Sequence, residues 1–223
     1  MTRLVIFAKA PIAGSAKTRL IPALGADGAA ALARQMLNHT LAQALGAGAQ
    51  AVELCMTPAP LDAAWRGVPL PAAVPRSAQG DGDLGARMSR ATERALAQQQ
   101  GPVLLMGTDC QALSTAHIAE AARQLDHHDA VLLPAFDGGY VLIGLQIPQP
   151  SLFTDMAWST PVVANETLHR MARLGLRVWV GPLLHDVDDP ADLMHLPAGF
   201  SRHPFFERNK LLAQANPACW AID

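Results

Sequence analysis

Cysteine is scarce in this chain of 223 residues. Cys55, Cys110 and Cys219 form an odd set without C-x-x-C spacing, which argues against a disulfide framework and a cysteine zinc site and points to reduced thiols in the cytoplasm. Aromatics make up only 5%, with a single tyrosine, so the core has to be built from Ala, Leu, Val and Met. Basic excess is missing too: the formal net charge is -2 and the pI about 6.4, which speaks against a nucleic-acid partner. No apolar run is long enough to cross a bilayer, so no membrane partner is expected. The opening MTRLVIFAKAP has too short an apolar stretch and too early a lysine for a secretory signal. Repeats, low-complexity tracts and a convincing linker are also lacking. What remains is 50% hydrophobic and 16% charged, enough for one substantial core.

Short β-branched or apolar runs at Arg3–Ala8, Ala51–Met56, Val103–Met106, Ala130–Leu133, Tyr140–Leu145 and Arg177–Val180 read as buried strands. Helical spacing appears over Asp27–Leu45, over Asp83–Gln99 with Asp83 as cap, and over Ser114–Leu125 with Ser114 as cap and a glutamate within. Further helices are expected at Ser159–Leu174, capped by Ser159 or Thr160, at Asp189–Leu196, and at Pro204–Gln214 in the tail. Lys9–Leu24 and the proline-rich Thr57–Pro75 read as loops. The alternation predicts an α/β fold: a single-domain, Rossmann-like, mainly parallel sheet with helices on both faces, in which the strands flanking Gly138-Gly139 depart from the parallel pattern.

Ligands of such sheets sit beyond the carboxyl ends of the strands, so the segments that follow the strands carry the candidate chemistry. After the first strand, Lys9, Lys17, Thr18 and Arg19 surround Gly14 on one loop. This is either an anion cradle suited to a polyphosphate or a solvated basic loop. It is not a P-loop, because Ala16 stands where that motif needs glycine. After the third strand, Asp109 is placed either to hold a divalent cation or to cap a turn. Asp186 and Asp188 alternate after the last strand, so one of them is a second candidate ligand, with Asp189 as a helix cap. Gln79 and Gly80 open a glycine-rich stretch that allows close backbone approach, and the Gln79 amide offers a donor and an acceptor to a base edge. Asp137 lies in a hairpin turn beside Tyr140. The eight histidines show no metal-ligand spacing. His127 and His128 read as surface, His185 is a minor candidate, and Trp158 reads as core packing in a loop near a helix start.

The strings FAKAPIAGSAKTRL (Phe7–Leu20), QGDGDLGARM (Gln79–Met88), GTDC (Gly107–Cys110), PAFDGGYVLIGL (Pro134–Leu145), WSTP (Trp158–Pro161) and DVDDPADL (Asp186–Leu193) occur in this order. With them the chain resembles the glycosyltransferase-like family found beside radical-SAM genes and in arsenosugar-type clusters, within the nucleotide-diphospho-sugar transferase (type A glycosyltransferase) superfamily. The resemblance covers residues 1–196; the extension 197–223 lies outside it, and its Phe200, Phe205 and Phe206 offer packing surface for its own domain or a neighbour. One departure is Gln111, which stands where that family reads proline. The resemblance implies a nucleotide-diphospho-sugar transferase fold and a nucleotide at the sheet's carboxyl edge. The implied activity is metal-dependent glycosyl transfer from a nucleotide sugar to a small acceptor. The alternatives are guanylyltransferase-like nucleotidyl transfer from a nucleoside triphosphate to a small phosphorylated metabolite, and a non-catalytic nucleotide-binding protein. In the implied site, Mg²⁺ or Mn²⁺ binds Asp109 and Asp188. Lys9, Lys17, Thr18 and Arg19 hold the phosphates, and Gln79, Gly80, Asp83 and Arg87 hold the nucleoside. Asp137 orients or deprotonates the acceptor, with Lys17 and Arg19 as its catalytic companions.

Overall fold

The computed structural model describes residues 2–98, 101–197 and 200. Seven strands form one sheet in the order β3-β2-β1-β4-β6-β5-β7, from β1 (Arg3–Lys9), β2 (Ala51–Thr57), β3 (Arg76–Ala78), β4 (Val103–Met106), β5 (Ala130–Pro134), β6 (Tyr140–Leu145) and β7 (Val178–Val180). All neighbours are parallel except β6, which runs against both β4 and β5. Of the two strands flanking Gly138-Gly139 that were expected to depart from the parallel pattern, only β6 does; β5 pairs parallel with β7.

The central strands are apolar on both faces because helices cover both. Leu4, Ile6, Leu54, Leu104 and Val131 pack with Leu37, Leu41 and Ala44 of α1 (Ile21–Gly46) and Ile118 and Ala121 of α3 (Thr115–Gln124). On the opposite face, Val5, Leu105, Leu132 and Ile143 meet Met88, Ala91 and Ala95 of α2 (Leu84–Gln98) and Ala164 and Met171 of α4 (Val163–Arg173). The α2 face also buries one carboxylate, Glu53. It accepts from Ser77 and Arg94 and, at 3.3 Å, from Arg3, so its burial leaves no unpaired charge.

Several boundaries differ from expectation. α1 is two helical pieces that meet at Gly25, whose φ 73° and ψ 166° are not helical: a short turn from Ile21 with Pro22 near its start, and the long helix, which begins close to the expected Asp27. α4 starts at Val163: Ser159 is left-handed (φ 62°) and the Thr160 hydroxyl donates to the Ala157 carbonyl, so neither caps the helix. Ser114 does cap α3, but its capping-box partner is His117 and not a glutamate. The segment after β7 forms a 3-10 helix, Pro190–His195, with Asp189 and Asp192 closing a capping box. β3 was not anticipated; three residues are too few for a period. The helix expected at Pro204–Gln214, together with Phe205, Phe206 and Cys219, lies outside the described residues.

Candidate active site

The carboxyl ends of β1, β2 and β4 share one rim of the sheet. Because β6 is antiparallel, its first residue, Tyr140, lies at that same rim. A cleft of about 530 Å³ opens there, and Lys9, Lys17, Arg19, Asp109, Asp137 and Asp188 are its charged lining.

The β1 loop folds tightly into this cleft. Ser15 and Ala16 N–H groups both donate to the Ile12 carbonyl, at 3.1 and 2.9 Å, and Lys9 Nζ reaches back to the Ser15 carbonyl at 2.8 Å. Lys17 follows in the left-handed region, φ 46°, which turns its side chain toward two other loops. Its Nζ donates to Asp188 Oδ1 at 2.6 Å and to the Val187 carbonyl at 2.7 Å, and lies 2.6 Å from Asp109 Oδ1. The ammonium thus sits among three oxygen acceptors. Burial pulls the Lys17 pKa down, but Asp109 and Asp188 outweigh it and leave the ammonium above its ordinary value. Lys17 is therefore a permanent cation at neutral pH.

The acidic partners are anchored by their neighbours. Val187 N–H donates to the Asp109 carbonyl at 2.9 Å, and the Val187 side chain, 1% exposed, packs with Leu20, Leu24 and Leu193. With Val187 turned inward, Asp186 and Asp188 face the other way together, as their alternation implied. They meet Asp137: one ligand atom from each of the three lies within 4.8 Å of the others. Asp137 is itself fixed by the hairpin, its Oδ1 accepting from the Gly139 N–H at 2.7 Å. Burial first, then the Asp137, Asp188 and Asp109 charges, push the Asp186 carboxyl up to about 6. Crowded hard oxygen donors of this kind fit Mg²⁺ or Mn²⁺. Asp188 belongs to both the Lys17 pairing and the acidic trio, whereas Asp109 belongs to the Lys17 pairing only.

The nucleoside residues fare differently from expectation. Gln79 is 5% exposed and lines the cleft, but its Nε2 donates to the Ala8 and Cys55 carbonyls, so only its Oε1 remains for a ligand. Gly80, Asp83 and Arg87 do not line the cleft. Gly80 (φ 76°) packs beside Arg90, Asp83 Oδ1 accepts from the Ala86 N–H at the start of α2, and Arg87 Nε donates to the Gly82 carbonyl. Helix capping thus engages one Asp83 oxygen, and loop closure engages the Arg87 Nε. Thr18 and Arg19 do line the cleft.

Sequence reasoning underrated three features. Asp186 completes the trio; its alternation with Asp188 was the available signal. Trp158 and Tyr140 form a T-shaped pair, centroids 6.4 Å apart, on the cleft wall; nothing local announced their meeting. Gln111 tethers the loop after β4 by donating to the Thr108 carbonyl at 2.8 Å, a side-chain constraint where the resembling family has a ring. Burial raises the Cys110 thiol to about 11 and also raises Cys55, which favours the protonated, less reactive form of both.

Fold and rim together define the nucleotide-diphospho-sugar transferase-like architecture. The chain belongs to the family described as uncharacterized proteins conserved in bacteria (DUF2064), which matches residues 40–160. It is similar to a Desulfovibrio desulfuricans protein provisionally assigned as a nucleotide-diphospho-sugar transferase, with 30% identity, TM-score 0.83, and coverage of 100% of this chain and 99% of that one. The fold is shared with a Methanothermobacter nucleotidyl transferase (17% identity, TM-score 0.55, 90% and 97% covered). It is shared also with a Mycobacterium tuberculosis protein solved with manganese (17% identity, TM-score 0.50, 87% and 96% covered). No curated protein matches the sequence. Among the described residues, no helix is long and apolar enough to cross a membrane.

Proposed function

We propose that this protein is a cytoplasmic, metal-dependent glycosyltransferase that takes a nucleotide-diphosphate sugar and a small acceptor. Residues 1–196 form the transferase domain. The observation that carries this reading is the Lys17 ammonium seated 2.6 Å from both Asp109 and Asp188 at the mouth of the cleft. One cation and several carboxylates around an open space suit a diphosphate that arrives with its own divalent ion. The likeness to the Desulfovibrio protein supports the same reading.

Asp188 and Asp186 would hold Mg²⁺ or Mn²⁺, with Asp109 alongside. A bound dication supplies Lewis-acid neutralisation of the diphosphate charge. Lys9, Lys17, Thr18 and Arg19 bind the phosphates from the β1 side, and the Arg19 guanidinium is suited to bidentate contact. The Gln79 oxygen faces the nucleoside. Asp137 orients the acceptor hydroxyl and takes its proton as the oxygen bonds to the anomeric carbon and the bond to the diphosphate oxygen breaks, releasing a nucleoside diphosphate.

Product analysis tests this. Incubation with nucleotide sugars, Mn²⁺ and an acceptor panel is expected to release nucleoside diphosphate, and chelator is expected to stop it. Release of pyrophosphate from a triphosphate would replace the reading with nucleotidyl transfer. Metal-dependent binding with no product from either panel would leave a nucleotide-binding protein without turnover.

A further inference from the structure

The segment between β3 and α2 carries Gln79 to the cleft, and it is held mainly from the helix side. β3 ends at Ala78. The Gln79 N–H continues the pairing with a bond to the Met56 carbonyl at 3.0 Å, and from there the chain leaves the sheet. Three arginines then take it up. Arg87, Arg90 and Arg94 follow one face of α2 at spacings of three and four, and each reaches this segment. Arg94 Nη2 donates to Ser77 Oγ at 2.9 Å. Arg90 donates from Nη1 to the Gln79 carbonyl at 2.6 Å and from Nη2 to the Asp81 carbonyl at 2.9 Å. Arg87 Nε donates to the Gly82 carbonyl at 2.9 Å.

Arg90 is the member of this row that grips Gln79 itself. Its planar fork spans Gly80, whose φ of 76° turns the carbonyls of its two neighbours toward one guanidinium. A Cβ at Gly80 would fall 2.6 Å from Arg90 Nη1, so the room left by the missing side chain is taken by Arg90. Both bonds are charge-assisted, and the fork fixes direction as well as distance. The Gln79 amide is held at its far end too. Its Nε2 donates to the Ala8 and Cys55 carbonyls at 3.3 and 3.1 Å. Turning the amide over would set its oxygen against those carbonyls, so Oε1 is the atom offered to a ligand. With backbone and amide both fixed, that acceptor stands at one place in the cleft. A ligand edge that donates an N–H there is favoured, and one that brings an acceptor is disfavoured. A loosened backbone would let the oxygen shift to suit either. Arg90 itself stands outside the cleft lining.

Resting on the reading above, in which Gln79 faces the nucleoside, we propose that Arg90 is a positioning residue for nucleotide choice: through the Gln79 carbonyl it fixes the amide oxygen that meets the base, and so sets which base the protein accepts. It does not act on the phosphates, whose cations Lys9, Lys17 and Arg19 come from the β1 loop.

Calorimetric titration of the full chain in Mn²⁺ tests this with the diphosphates of adenosine, guanosine, cytidine and uridine, and with pyrophosphate, which has no base. The wild type is expected to prefer one base over another by about tenfold or more. Arg90→Met is expected to bind the preferred diphosphate about tenfold more weakly, to bind all the diphosphates alike, and to bind pyrophosphate as the wild type does. Gly80→Ala displaces the guanidinium while keeping Arg90 and is expected to flatten the preference in the same way. Gln79→Met removes the acceptor itself; adding Arg90→Met to it is expected to cost no further preference, because both act through one group. A wild type without base preference, a lower melting temperature in Arg90→Met with the preference intact, an equal loss of pyrophosphate, or additive losses in the double variant would overturn the proposal. A wild type that binds none of the nucleoside diphosphates would overturn the transferase reading instead.

Discussion

Lys17 is the residue on which the site turns. Its neighbours are two carboxylates and a carbonyl, and in the absence of another cation it alone neutralises Asp109 and Asp188. Replacing it with methionine removes the cation proposed to meet the phosphates and leaves Asp109 and Asp188 unpaired. Lys17→Met is expected to reduce turnover about a hundredfold, equivalent to ~3 kcal/mol of transition-state stabilisation, while tightening Mn²⁺ binding in the nucleotide-free protein. Steady-state kinetics and a manganese titration read the two effects separately; weaker manganese binding would show that Lys17 organises the ligands more than it repels the ion. Gly85 makes a different demand. A Cβ there would lie 2.1 Å from the Phe153 carbonyl oxygen, which is backbone and does not swing away. Gly85→Ala is therefore expected to lower stability by about 2 kcal/mol or more, measurable by denaturant unfolding, and an unchanged midpoint would contradict the packing of α2 on the Phe153 segment.

At the scale of elements, the segment carrying Asp186 and Asp188 is held from below by Val187 and charged on top. Asp186 titrates near 6 in the fold against an ordinary value of 3.8. Its folded pKa is raised, so ionising it costs stability: the cost is complete above about pH 6 and absent below about pH 4. Asp186→Asn is accordingly expected to melt higher than the wild type at pH 7 without metal, with the difference shrinking as pH falls toward 4. Saturating Mn²⁺ should erase the advantage at pH 7, because the ion compensates the carboxylate. A melting difference independent of pH would mean that the substitution acts through packing alone. Elsewhere, α3 depends on its amino-terminal cap. Ser114→Ala removes the acceptor of the His117 N–H and is expected to cost about 1 kcal/mol, read as a shift of the urea midpoint with unchanged slope.

For the whole molecule, the proposed function would couple metal to nucleotide, because the carboxylates would repel a diphosphate until a dication intervenes. Nucleoside diphosphate at about a hundred times its Kd, with Mn²⁺ present, is expected to stabilise the fold by about 2.7 kcal/mol, or about 5–11 °C in Tm for a chain of this size. Without metal the shift should largely vanish; equal shifts in both conditions would detach the carboxylates from nucleotide binding. The alternation of strands and helices, and the antiparallel exception at β6, were legible in the chain because apolar runs, caps and glycine stops are local signals. The β1 loop, Asp109, Asp137 and Asp188 were legible because they follow strands. Gly80, Asp83 and Arg87 stand apart from the cleft lining, a placement the sequence does not show because the same residue types serve turns and helix caps as readily as ligands.

Sequence alone therefore determined the class of fold and the rim that carries the candidate site, since burial periodicity and the residues after each strand are written locally. The tertiary structure decided which charges meet. It drew Lys17 across some 170 residues of chain to Asp188, grouped Asp137 with Asp186, and set Trp158 against Tyr140 on the cleft wall. Contacts of that kind depend on how the sheet orders its strands and how the helices stack upon it, which no local pattern encodes.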